Sequence, residues 1–290
     1  MRQMLLRTAQ TDDLPALYAL WEEAFGDEKP AIDAFFTACF APENTLAAFE
    51  HGRLLSALYL IPTVYRRGAQ TFSAAYIFAA ATRRAARGRG LMTALLRFAK
   101  ETARKRELDL LFLVPATPEL FAFYRARGFS DGFQKTVYTV PGKALGTAAP
   151  IAPAQDTAPA AYLAAREAAL SGVPHIAWGE DALRLALRYD ALFGSRTYVL
   201  QNGFFTAETD GEAATAAEFC AAGEAALPVL CGALAAFGAG TYTLCTPCKM
   251  PVPKRFGAGE TVTTGLYLPI SDRARTAKLP SDAYLGITFG

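Results

Sequence analysis

The chain has 290 residues, 52% of them hydrophobic and 19% charged, with a formal net charge of +2. That length suits one large or two medium domains with substantial cores, and so balanced a charge excludes a global basic field for nucleic acid. Charge at Arg2 and Arg7 comes too early for a signal peptide, and the longest uncharged run, 225–248, is broken by Pro228, Gly232, Gly238, Gly240 and Pro247, whereas a membrane span needs about 20 unbroken apolar residues.

Thr11-Asp12-Asp13-Leu14-Pro15 reads as a helix cap and first turn, after which Leu14, Leu17, Trp21 and Phe25 recur at helical spacing up to Gly26. A second helix is expected over 30–39, then a hairpin of 45–50 and 53–61 around His51-Gly52, then a β-type segment over 71–82. A helix from Leu91 to about Arg106 carries Leu91, Leu95, Phe98 and Thr102 on one face, and 108–114 reads as a buried strand. Thr117 caps and Pro118 starts a short helix to Arg127, Gly128 is a fitting residue to end it, and 133–140 supplies a further strand. Residues 141–158, rich in Ala, Pro, Gly and Thr, read as a linker. Beyond it, helices are expected over 160–170 and 181–191, a hairpin of 197–201 and 204–209 around Asn202-Gly203, strands over 215–220, 241–245, 262–270 and 284–289, and a helix over 225–237. The succession of hairpin, strand, helix and strand seen over 45–114 thus recurs.

The five cysteines, an odd number in a large chain, fit a reducing cytoplasm. Cys245-Thr-Pro-Cys248 is read as structural: zinc would need two more ligands, and His51 and His175 stand at no ligand spacing, while a redox pair should open a helix rather than end a β-type run. No metal is expected. His51, in the hairpin turn, and His175, after Pro174, are expected to be structural or solvent-facing, and Trp178 to staple the start of a helix.

The most informative stretch is Arg83-Arg84-Ala85-Ala86-Arg87-Gly88-Arg89-Gly90-Leu91-Met92, a loop between a β-type run and a helix. Glycines bare the backbone N–H groups, the helix start contributes a positive dipole, and arginines add forked donors; together they are suited to a pyrophosphate. Arg87-Gly88-Arg89-Gly90 in this setting, followed by Phe123-Tyr124-Arg125-Ala126-Arg127-Gly128-Phe129 after a strand and a short helix, resembles the two signature motifs of the GNAT superfamily of acyl-CoA N-acyltransferases, over roughly residues 1–140. With the loosely repeated second half, the chain resembles the first two domains of the Eis-like tandem acetyltransferases.

The resemblance implies an α/β (α+β) GNAT fold, a mixed, mostly antiparallel twisted sheet flanked by helices, followed by a second, degenerate copy. It implies a catalytic domain over 1–140, the linker 141–158, and a GNAT-like domain over 159–290 in which Ala221-Ala222-Gly223-Glu224 replaces the phosphate loop. Main-chain groups of Ala80, Ala81 and Thr82 would meet the pantetheine arm of acetyl-CoA or another acyl-CoA, with an oxyanion donor near Ala80. N–H groups of Gly88, Arg89, Gly90, Leu91 and Met92 would cradle the pyrophosphate, and Arg87 would close the loop. Met92 departs from the usual Gly or Ala, as bulky residues do in Eis-like members. Arg83, Arg84 or Arg89 would meet the 3′-phosphate, a choice the sequence leaves open.

Tyr124 resembles the family's proton donor to the departing thiolate, although its spacing from Leu120 and Phe121 also suits a core aromatic. Asp109 and Glu119 are the nearby carboxylates, and neither is singled out as base. The expected activity is acyl transfer to a primary amine of a small molecule or peptide, in the cytoplasm, with no membrane or nucleic-acid partner and homo-oligomerisation left open. The rivals are a non-catalytic acyl-CoA-binding protein and a tRNA-dependent aminoacyl transferase, which would want a basic channel.

Overall fold

The computed structural model describes residues 4–147 and 157–287. By its internal contacts the chain divides into two units, residues 1–64, 72–131 and 265–279 in the first, 65–71, 132–264 and 280–290 in the second.

The first unit opens with β1 (Met4–Thr8), α1 (Leu14–Phe25) and α2 (Lys29–Ala38), then β2 (Thr45–Glu50), β3 (Arg53–Arg67) and β4 (Gln70–Thr82). α3 (Leu91–Lys105), β5 (Leu110–Leu113) and α4 (Pro118–Arg125) follow. β1 to β3 are antiparallel neighbours, whereas β4 and β5 run parallel from Ala74↔Leu110 to Tyr76↔Phe112. α3 forms because Leu91, Leu95, Ala99 and Ala103 recur every four residues, and that buried stripe joins Leu58, Ala75 and Leu111 in one core. Trp21, Phe35, Phe36, Tyr59 and Phe78 form a second aromatic cluster, with centroids 4.7–5.8 Å from Trp21 for Phe35, Phe36, Tyr59 and Phe78. Asp109, before β5, is buried and spent on structure: its carboxylate accepts from the Ser73 N–H at 2.9 Å and the Ser271 hydroxyl at 2.6 Å, and pairs with Arg273 at 3.4 Å.

The second unit contains β6 (Ser130–Pro141), α5 (Pro159–Ala169), β7 (His175–Ala177), α6 (Glu180–Leu192), β8 (Arg196–Leu200), β9 (Gly203–Thr209), β10 (Ala213–Ala221), α7 (Leu227–Ala235) and β11 (Thr241–Thr246). Its sheet runs β6-β11-β10-β9-β8, with β10 and β11 parallel from Ala213↔Thr241 to Ala216↔Leu244. Two helices, three strands, a helix and a strand follow one another in both units, with the short β7 inserted between the two helices of the second, and in both the last strand pairs parallel with the one before the helix. The loop after β10 keeps one positive-φ glycine, Gly223, and offers Glu224 where the first unit has arginines.

A buried network centres on Glu218 of β10, 1% exposed, which accepts from the Arg166 guanidinium and the Tyr162 hydroxyl. Arg166 and the Trp178 indole both donate to the Leu285 carbonyl. Trp178 is thus a core anchor rather than only a staple before α6. His175 is buried with Nδ1 2.7 Å from the Val173 carbonyl, and the five cysteines form no disulfide with one another.

Finally, β12 (Glu260–Pro269) and α8 (Asp272–Thr276) close the chain. β12 pairs antiparallel with β5 from Leu266↔Leu113 to Pro269↔Leu110. This is why the units are not the contiguous halves expected from composition: β5 is apolar on both faces and its edge is satisfied by a strand from the far end of the chain. The expected linker also starts too early, since β6 runs to Pro141, and 148–156 lie outside the described residues. The strand expected over 284–289 is reduced to isolated bridges at Ala283 and Tyr284, and 288–289 lie outside the described residues. No helix among the described residues is long and apolar enough to cross a membrane.

Asp190 of α6 carries a testable signature. Burial, then the nearby Glu218 and Glu208 carboxylates, push its carboxyl up to about 7 against the partial relief of Arg196, and its Oδ2 is buried without a hydrogen-bond partner. The folded state therefore holds this proton more tightly than the unfolded chain, so the group's contribution to stability is complete below about pH 4 and is lost as pH rises through about 7. Asp190→Asn should match the parent at pH 4 and be more stable by about 1–3 kcal/mol at pH 8, read from urea midpoints at the two pH values.

Candidate active site

β4 and β5 are registered only as far as Tyr76↔Phe112, while β4 continues to Thr82. Ala79 takes a φ of +45°, a left-handed conformation that costs an alanine about 1 kcal/mol or more and turns the strand out of regular pairing. Past it, buried Ser56 ties down the strand end, donating to the Ala81 carbonyl at 2.7 Å and lying 2.8 Å from the Thr82 hydroxyl. The loop then turns through Gly88 (φ +76°) and Gly90 (φ +77°), conformations that favour glycine, and Gly90 caps α3.

These pieces enclose a groove of about 610 Å³, within the range of small-ligand sites. The end of β4 contributes Ala80, Ala81 and Thr82; the loop and α3 contribute Arg87, Gly88, Gly90, Leu91 and Met92; α4 contributes Tyr124. Arg87 Nε donates to the Thr82 carbonyl at 3.2 Å, holding the loop against the strand. Arg89 is the exception among the expected residues: its guanidinium turns away to Glu50, 2.6 Å distant, and does not border the groove. Arg83 and Arg84 are also turned away, both binding Glu23 of α1.

Arg127 and Phe25 line the groove beside the residues expected to hold the ligand. Arg127 lies in the turn that follows α4, its guanidinium donating to the Thr93 hydroxyl at 3.0 and 2.7 Å and lying 3.4 Å from the Phe123 ring centroid. Phe25, 45% exposed, borders the groove from α1.

Arg87 and Arg127 are the only charged side chains lining the groove among the described residues. Tyr124 is 7% exposed, packed edge-on against Phe123 and Phe129, and its hydroxyl has no hydrogen-bond partner among the described residues. Burial raises its pKa above the ordinary tyrosine value, partly offset by Arg127, so it stays protonated at neutral pH. Neither carboxylate considered as base lies in the groove: Asp109 is committed at the opposite end of β5, and Glu119 is exposed, its pKa lowered by a hydrogen bond from Thr117. A groove with two guanidiniums, bare glycine N–H groups and an apolar far end fits a phosphate-bearing ligand with a long uncharged arm.

The acetyltransferase (GNAT) domain family model matches residues 6–131. Those residues are a GNAT acetyltransferase domain. The family's chemistry is acyl transfer from acyl-CoA. No curated protein sequence matches the chain. Solved structures with the same fold include a probable N-acyltransferase of Enterococcus faecalis V583, at TM-score 0.76 and 13% identity over 93% of this chain and 73% of that one. A GCN5-related N-acetyltransferase of Kribbella flavida aligns at TM-score 0.74 and 16% identity, over 92% and 71% of the two chains. Eis1 of Mycobacterium abscessus aligns at TM-score 0.72 and 15% identity, over 95% and 75%. These alignments extend well beyond the GNAT domain, so the tandem arrangement is a property of the fold they share with this chain.

Proposed function

We propose that the groove transfers an acetyl, or other short acyl, group from acyl-CoA to a primary amine of a small molecule or peptide. The observation that carries this reading is that a protonated, unpartnered Tyr124 hydroxyl shares one groove with the kinked end of β4 and the Gly88–Gly90 turn. In it, the loop N–H groups, Arg87 and Arg127 hold the pyrophosphate end. The main chain around Ala79 and Ala80 aligns the arm and offers an N–H to the carbonyl oxygen as the amine attacks. The C–N bond forms, the C–S bond breaks, and Tyr124 protonates the departing sulfur. The amine's proton leaves through water, since no carboxylate among the described residues lines the groove.

The second unit, lacking a glycine–arginine loop, is assigned no transfer chemistry. The missing carboxylate also favours a second reading, acyl-CoA binding without transfer. CoA release from acetyl-CoA, measured with a thiol reagent across an amine panel, separates the two: acceleration by an amine supports transfer, and binding without acceleration supports the binding protein. If acetyl-CoA binds, Arg87→Ala and Arg127→Ala should each weaken it about tenfold, the loss of one charge-assisted contact, with little change in kcat.

A further inference from the structure

One face of α3 carries positive charge that no acid among the described residues answers. Thr93, which lines the groove and accepts from Arg127, is followed at spacings of four, three and four residues by Arg97, Lys100 and Arg104. Those spacings put all four on one stripe, about 16 Å long at 1.5 Å per residue, which starts at the groove and runs away from it. Arg97 and Arg104 are exposed and Lys100 is half-buried, and none of their charged groups makes a hydrogen bond or ion pair among the described residues. Glu101, the one acid of α3, stands beside the stripe and pairs with none of them.

Cations near the C-terminal end of a helix complement its dipole, which accounts for Arg104 and Lys105. It does not account for Arg97 and Lys100, which sit in the middle turns. Like charges three and four residues apart repel, so the stripe weakens the helix that carries it. The core does not need it either, because Leu91, Leu95, Ala99 and Ala103 seat the opposite face. A row of unpaired cations, in a chain of net charge +2, is complementary to an acidic surface.

We propose that this stripe docks an acidic carrier protein that presents the acyl group on a serine-linked 4′-phosphopantetheine arm. The inference rests on the reading of the groove as the seat of such an arm. A partner of this kind needs two things side by side: a slot for a phosphate-bearing arm, and cations for the acidic protein at the arm's root. Groove and stripe supply them, and Thr93 belongs to both. A nucleic acid would use the cations and leave the groove unexplained. Transfer keeps the balance it has with acyl-CoA: the C–N bond forms, the C–S bond breaks, and the protonated sulfur stays on the carrier as its thiol.

The test titrates the full chain calorimetrically, at low and high ionic strength, with acetylated acyl carrier protein, the same carrier without its arm, acetyl-CoA and a single-stranded oligonucleotide. The parent is compared with Arg97→Gln/Lys100→Gln/Arg104→Gln, which loses no contact and should melt no lower. The variant should bind the acetylated carrier about tenfold more weakly, should lose most of the parent's salt dependence, and should keep its affinity for acetyl-CoA. The proposal is overturned if parent and variant bind the carrier alike, or if neither binds it. It is overturned equally if the variant loses acetyl-CoA by the same factor, since the stripe then serves CoA, or if the oligonucleotide outcompetes the carrier on the parent. Should acetyl-CoA itself fail to bind, the reading of the groove falls. The armless carrier then decides the docking surface alone: tighter binding to parent than to variant upholds it, and equal binding ends it.

Discussion

Tyr124→Phe should lower kcat for acetyl transfer about 100-fold or more, the usual worth of a positioned general acid, while leaving acetyl-CoA affinity and melting temperature near those of the parent. Stability is spared because the hydroxyl has no partner to lose and the ring keeps its contacts with Phe123 and Phe129. The pH profile carries a second signature. The acid works only while protonated, and burial raises its pKa, so the parent's alkaline decline in kcat should fall above the ordinary tyrosine value near 10. In Tyr124→Phe that decline should disappear. A variant with unchanged kcat, or one that loses acetyl-CoA binding instead, would return Tyr124 to the core-aromatic role its spacing also allows.

Breaking the Arg166–Glu218 pair should have the largest effect on stability. Both side chains are at most 2% exposed, so truncating Arg166 leaves a carboxylate in the interior of the second unit with only the Tyr162 hydroxyl to hold it. Loss of one partner of a buried pair costs about 3–5 kcal/mol, which in a unit of this size corresponds to a fall of roughly 10 °C in melting temperature. Arg166→Met alone should show that fall. The double variant Arg166→Met/Glu218→Leu should recover much of it, because the expense lies in the orphaned charge rather than in a large net gain from the pair. Differential scanning calorimetry of both proteins decides this. Equal losses in single and double variants would show that packing around Leu285, rather than charge, dominates.

Much of the groove was legible because its parts are local. Gly88 and Gly90 announce positive φ, the four-residue repeat from Leu91 announces the helix, and Tyr124 follows its strand at a fixed distance. What escaped depends on distant contacts. Ala79 gives no hint of a left-handed conformation, since nothing in alanine favours it and the surrounding strands impose it. Arg89 reads like its loop neighbours until the hairpin turn brings Glu50 to it. β1 and β7, with five and three residues, are too short for periodicity to register, and each is made a strand by the partner it finds. The expected strand over 284–289 has suitable residues, but the chain around it forms bridges only at Ala283 and Tyr284, and Leu285 serves instead as acceptor for Arg166 and Trp178.

The pairing of β12 with β5 also sets an order of events during synthesis. Leu110–Leu113, buried along its whole length, must wait for Leu266–Pro269 before both its edges are paired. The ribosome reaches that segment about 150 residues later, some 8–30 s at 5–20 residues per second. For that interval the nascent GNAT domain carries an apolar strand with an open edge, a ready template for mispairing with another chain. The part of the protein made first is thus among the last to be finished, and its yield in the cell depends on what shields that edge until Leu266–Pro269 have been made.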